Sequence, residues 1–171
     1  YKTIPQILQE AGYTTFNYGK KDYNFHWSSS IYNHKLKNYT DFSKLKEMQP
    51  FFGQIQIKGG KNNTSKLPLN KKVSPDTVNV PLDYPNHELY KKLVAQHYDA
   101  IRIDDDLIGD ILNALKTYEL DKNTLVVYFS DHGANNFVRH KQMLSEGGLH
   151  VPLMISGPDN YIPKKTTWDD L

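Results

Sequence analysis

The longest patterned stretch of this chain is residues 87–118, where Leu89, Leu93, Tyr98, Ile101, Ile108, Ile111, Leu112 and Leu115 recur at helical spacing. That spacing lines apolar side chains along one face of a long helix, and such a face has to be buried against something. The next patterned element supplies a partner type. Residues 124–129 read Thr-Leu-Val-Val-Tyr-Phe and stop abruptly at Ser130-Asp131-His132-Gly133. A long helix running straight into a short apolar strand predicts an α/β architecture, with the helix packed on a sheet. In open parallel sheets of this kind ligand chemistry gathers at the carboxyl ends of the strands, so Asp131 and His132 stand where a metal site would lie. Taken alone, Asp-His-Gly is equally the composition of an ordinary turn, with the Asp side chain bonded to backbone and Gly accepting positive φ.

Three other stretches extend the pattern. Thr3 is placed to cap a short helix with Pro5 in its first turn and Ile4, Ile7, Leu8 and Ala11 on one face, and Gly12 is placed to stop it. A strand is expected from Tyr13 to Tyr18, delivering Gly19-Lys20 to a sheet edge. Pro50-Phe51-Phe52-Gly53-Gln54-Ile55-Gln56-Ile57 reads as a second buried strand, with Gly59-Gly60 as a tight exit leading to Lys61. The crossover rule for parallel strands predicts the ends at Lys20, Lys61 and Asp131 at one edge of the sheet. Between roughly Asn62 and Asn86, Pro68, Pro75, Pro81 and Pro85 with Asn and Lys around them predict an extended surface excursion. The run Asp104-Asp105-Asp106 is read as a solvated helix face rather than a second metal site, because neighbours in a helix point in different directions.

These motifs, in this order, resemble the type I, formylglycine-dependent sulfatases of the alkaline phosphatase superfamily, over nearly the whole chain apart from the proline-rich loop. Gly19-Lys20 matches the family's Gly-Lys-Trp-His, with Lys21 and Asp22 in place of Trp and His. Pro50-Phe51-Phe52 matches its Pro-Phe-Phe strand, with Lys61 where a histidine is usual. Ser130-Asp131-His132-Gly133, then Lys141, then Glu146-Gly147-Gly148-Leu149-His150-Val151-Pro152-Leu153 match its later segment. The resemblance implies a mostly parallel, alkaline phosphatase-like sheet flanked by helices, present here incompletely. It implies that residues 1–171 are part of a catalytic domain whose nucleophile-bearing N-terminal part and C-terminal subdomain lie outside them. No Cys/Ser-x-Pro-x-Arg motif occurs in the chain, there is no cysteine, and the chain ends at Trp168-Asp169-Asp170-Leu171 where the family continues.

The function implied is hydrolysis of sulfate monoesters, with a sulfated small molecule or glycan as partner. Asp131 and His132 would be metal ligands, Lys20 and Lys141 would hold sulfate oxygens, Lys61 would stand at the usual histidine, and Asp22 would lie in the substrate site. Calcium is the expected ion, ahead of Mg2+, Mn2+ or Zn2+, and the nucleophile would be a formylglycine upstream. The family implies a secreted, periplasmic or lysosomal setting, although no signal segment is visible here. A phosphatase or phosphodiesterase of the same superfamily, and a non-catalytic anion-binding homologue, are the alternatives. A two-metal phosphatase would add histidine ligands, yet of the seven histidines only His132 lies in a ligand-like motif.

Composition narrows the partners. Hydrophobic residues make up 38% and aromatics 12%, enough for a core. A formal net charge of +2 with scattered lysines does not predict nucleic-acid binding, and no apolar run approaches the roughly 20 residues of a membrane span.

Overall fold

The structure, a computed structural model, describes residues 1–162. The terminal Trp168-Asp169-Asp170-Leu171 lies outside the described residues. Two compact units make up the chain: Tyr1–Ile57 with Gly109–Thr124, and Lys58–Ile108 with Leu125–Leu171.

The first unit begins with helix α1, Ile4–Glu10, capped as its sequence requires. The Gln6 side chain turns back so that its Oε1 accepts from the Thr3 backbone N–H at 2.8 Å and from the Thr3 hydroxyl at 2.9 Å, which satisfies a backbone donor at the helix entry. Gly12, at φ +89°, ends the helix. Strand β1, Thr14–Tyr18, pairs in parallel with β2, Phe51–Ile55, in the register Thr14↔Phe51 through Tyr18↔Ile55. A parallel pair needs a long crossover, and here residues 19–50 supply it with one short 3-10 turn, Ser29–Ile31. Phe16, Ile31, Tyr32, Leu36, Phe42 and Leu45 are buried in this unit. Thr15 is fully buried beside Phe16, and its hydroxyl is satisfied by the Gln9 amide at 2.6 Å and the Ile31 carbonyl at 3.0 Å.

Helix α2, Glu88–Thr117, takes the span expected from residues 87–118, but not the expected face: Leu89, Tyr98 and Ile101 are exposed, whereas Val94, Ala95, Asp99, Ala100 and Asp104 are buried. In the second unit its Val94 and Ala95 pack with Val78, Val73 and Phe137. The proline-rich loop is therefore more than a surface excursion. It is folded into 3-10 turns at Gly59–Lys61, Thr64–Lys66, Leu69–Lys71 and Pro75–Thr77. It is also tied to α2, because Asp99 accepts from the Val73 backbone N–H at 2.8 Å. Strand β3, Val126–Phe129, follows α2 as predicted, and its described partner is β4, Leu153–Ser156, running antiparallel with Val126↔Ser156 and Phe129↔Leu153. The intervening segment contains only the one-turn helix α3, Glu146–Leu149, so the chain returns beside β3 instead of crossing over to a parallel position. Among the described residues no helix is long and apolar enough to cross a membrane.

Candidate functional site

At the end of β1, Gly19 has φ +115°, and a Cβ there would sit 2.9 Å from the Cβ of Gln56. Only glycine accepts both the conformation and the close approach. The buried Asn17 side chain holds the exit turn by donating to the Lys20 carbonyl at 3.1 Å. Lys20 leaves this turn exposed and pairs with Asp22. The residue that stands where the resembling family has histidine therefore places a carboxylate against the Lys20 ammonium.

In the second unit the Asp-His-Gly turn is fixed from several sides. The Ser130 hydroxyl donates to the His132 carbonyl at 2.7 Å, and the Gly133 N–H donates to the Gly148 carbonyl at 3.1 Å. A Cβ on Gly133 would collide with the Gly147 carbonyl, so the glycine is required by packing against α3. His132 Nδ1 lies 2.7 Å from the Gly133 carbonyl oxygen. A carbonyl can only accept, so Nδ1 carries a proton and the neutral ring presents Nε2 as its lone pair. That Nε2 lies 3.6 Å from Asp131 Oδ1, and the Asp131 side chain is 85% exposed. A metal-ligating histidine whose other nitrogen donates to a backbone carbonyl is a familiar arrangement. Two donors 3.6 Å apart can also both lie within the 2.0–2.6 Å reach of one divalent cation. The pair fits one side of a metal shell. Among the described residues no group of three or more His, Cys, Asp or Glu side chains forms a complete one.

Lys141 is half-buried, and its neighbour His140 is set by aromatic contacts, 5.3 Å from Phe137 and 6.2 Å from Tyr84 between ring centroids. The backbone of this loop turns through left-handed conformations at Asn136, Arg139 and Gln142, near φ +60°. Lys61 is exposed at the end of the Gly59–Lys61 turn. The residue after it anchors that turn: the Asn62 amide donates to the Gly59 carbonyl at 3.0 Å, the Ala100 carbonyl at 3.1 Å and Asp104 Oδ1 at 2.6 Å. Gly60 faces His97, whose Nδ1 would be 2.9 Å from an added Cβ. A polar cavity of about 240 Å³ lies beside the turn, lined by Gly60, Asn62, Thr64, Gln96, His97 and Asn135.

Asp104 departs from the solvated helix face expected for the Asp104-Asp105-Asp106 run. It is 1% exposed, and its Oδ2 has no hydrogen-bond partner among the described residues, whereas Asp105 and Asp106 face solvent. Burial pushes its carboxyl above the usual carboxylate range, against the opposing pull of Asn62, the Gly59 backbone and His97. Burial likewise pushes His97 down, helped by His140 and opposed by Asp104. The signal was present in the spacing. Asp104 lies four residues after the buried Ala100, one helical turn along the same face.

A protein-family model described as Sulfatase matches residues 45–168. The chain is 25% identical over 194 aligned positions to an ulvan-active sulfatase of Formosa agariphila, covering 92% of this chain and 32% of that protein. It is 27% identical over 206 positions to the N-acetylgalactosamine-6-sulfatase of Rattus norvegicus, covering 91% and 39%. It is 29% identical over 113 positions to the arylsulfatase K of Canis lupus familiaris, covering 52% and 21%. The chain thus spans well under half the length of these relatives.

Proposed function

The chain belongs to the sulfatase family, and from that premise we propose that it contributes the later half of the active site of a sulfuric ester hydrolase acting on a sulfated carbohydrate, in a compartment outside the cytosol. The observation that carries the reading is the Asp131–His132 pair, with Nδ1 of His132 tied to the Gly133 carbonyl and its Nε2 3.6 Å from the carboxylate. Asp131 and His132 would hold a divalent cation, calcium by preference, and when bound it would supply charge that stabilises the oxygens of a sulfate group. Lys20 and Lys141 hold sulfate oxygens, because cationic donors fixed in advance stabilise charge as the S–O bond breaks. Asp22 restrains Lys20 and tempers its charge. Lys61 keeps a proton-bearing nitrogen where relatives of this type have histidine. Two of the relatives are named for sulfated carbohydrates, ulvan and N-acetylgalactosamine 6-sulfate, which supports the substrate class.

The test uses the full-length protein. Asp131→Ala removes the one charged ligand of the pair, so bound metal measured by elemental analysis and sulfatase activity are both expected to disappear. His132→Asn supplies an oxygen donor in place of nitrogen and is expected to be much milder. Full metal content in Asp131→Ala would refute the ligand role, as would a His132→Asn protein that retains its metal and is inactive.

A further inference from the structure

The segment leaving β1 has an unusual composition: residues 19–30 contain Tyr23, Phe25 and Trp27 and no aliphatic apolar side chain. Lys21, Tyr23, Phe25 and Trp27 occupy alternate positions, with Asp22, Asn24 and His26 between them, and the chain bends at Asn24-Phe25. The rings meet. Tyr23 stacks on Phe25 with centroids 5.2 Å apart and planes at 28°, and Trp27 meets Tyr23 edge-on at 5.4 Å. The Lys21 ammonium lies over Trp27 at 5.6 Å and over Tyr32 at 5.7 Å. One end of this set is anchored: the Tyr32 hydroxyl bonds with that of Tyr23 and donates to Gln54 Oε1 of β2 at 2.6 Å. Tyr32 is 9% exposed and belongs to the core, whereas Phe25 at the other end is 49% exposed.

A ring set that served only as core would bury its outer members. Here the inner ring, Tyr32, is buried and bonded to the sheet, the outer ring, Phe25, faces solvent, and the Lys21 ammonium sits over Tyr32 and Trp27. We propose that Tyr23, Phe25 and Trp27 with Lys21 form a saccharide platform, on which the sugar ring of a sulfated substrate stacks while Lys21 meets an anionic substituent. The C–H face of a pyranose is apolar and weakly positive, which matches the negative face of an aromatic ring, and an ammonium ion complements a sulfate or carboxylate on the same sugar. The platform begins at the residue after Lys20, so the inference rests on the reading of Lys20 as a sulfate-holding side chain and extends it to the rest of the substrate. Single-stranded nucleic acid also stacks on aromatic rings. Asp22, paired to Lys20 beside the platform, would repel a nucleic-acid backbone and so favours the sugar.

In the full-length protein, the ratio of kcat/KM for a sulfated disaccharide mixture from chondroitin and heparan sulfates to that for 4-nitrophenyl sulfate is the first readout. It is expected to fall about tenfold or more in Phe25→Ala and Trp27→Ala. Phe25→Leu and Trp27→Leu, which keep apolar bulk without a ring face, are expected to do the same with the thermal midpoint held. The second readout needs no turnover. Adding the same disaccharides is expected to change tryptophan emission in the parent protein and not in Trp27→Phe. An unchanged ratio in all four variants, or the same emission change with and without Trp27, would overturn the platform. Tighter quenching by oligothymidylate than by the disaccharides would overturn it as well. A protein that hydrolyses neither substrate would remove the hydrolase reading and leave the emission experiment to decide the platform.

Discussion

His132 and Asp104 are both polar groups set by backbone geometry, but they differ in what the surroundings demand of them. His132 sits in a turn where a carbonyl fixes one ring nitrogen and leaves the other facing an exposed carboxylate. Asp104, on α2, is sealed beneath the Gly59–Lys61 turn, with one oxygen satisfied by Asn62 and the other by no hydrogen-bond partner among the described residues. Such a group prefers its neutral form, so its carboxyl is held above the usual range. A folded-state value above the unfolded one makes the folded state the stronger proton binder. The stability this contributes is complete below about pH 4, the unfolded carboxylate value, and is lost as pH rises through the folded value. Asp104→Asn keeps the volume and an oxygen for Asn62 while removing the titration. The fall in urea midpoint from pH 4 towards pH 7 is therefore expected to be shallower in the variant than in the parent protein. Identical slopes would show that Asp104 is ionised in place without penalty.

At the scale of elements, the β1–β2 pair shows how one small residue sets a register. Gly53 lies opposite Phe16, and a Cβ on it would collide with the Phe16 ring. The strand is kept flat at that point so that a buried ring can lie across it. Gly53→Ala is expected to cost about 1–3 kcal/mol of stability, the usual range for forced overpacking. Adding Phe16→Leu should recover part of the loss, because the two changes share one space. Denaturant unfolding of the single and double variants tests this, and a Gly53→Ala protein of undiminished stability would refute it. The helices followed their sequence signals closely. Thr3, Pro5 and Gly12 bound α1 as their backbone preferences require, and residues 87–118 gave the span of α2 but not its buried side, since Leu89, Tyr98 and Ile101 stay exposed. The proline-rich loop was legible in its turns and not in its packing. Val73 and Val78 look like isolated apolar residues among prolines, and only the approach of Val94 and Ala95 gives them a core to join.

At the scale of the whole molecule, the second unit leaves β3 and β4 with much apolar surface exposed. Val127, Phe129, Leu153, Met154 and Ile155 are all about half exposed or more, and β4 is exposed at every position. Open strands with apolar faces template further pairing. The 171-residue chain by itself is therefore expected to associate with rising concentration in sedimentation experiments. Phe129→Lys with Ile155→Lys should suppress this, and a chain that stays monomeric at all concentrations would contradict it. What the sequence determined by itself was local and chemical. Helical and strand periods, caps and glycine exits follow from backbone sterics and side-chain spacing, and the order of Lys20, Pro50-Phe51-Phe52, Asp131-His132 and Lys141 pointed to the sulfatase family that the family match bears out. What tertiary structure decided was which neighbours each group meets. It paired β3 with β4 in antiparallel fashion, buried Asp104 while leaving Asp105 and Asp106 in water, and set Asp22 against Lys20. It also brought Tyr23 against Phe25 and Trp27 and set Lys21 over Trp27 and Tyr32. Burial and long-range contact depend on residues distant in sequence, and the energies of a carboxylate, an ammonium ion or an aromatic face are fixed by that environment rather than by their neighbours along the chain.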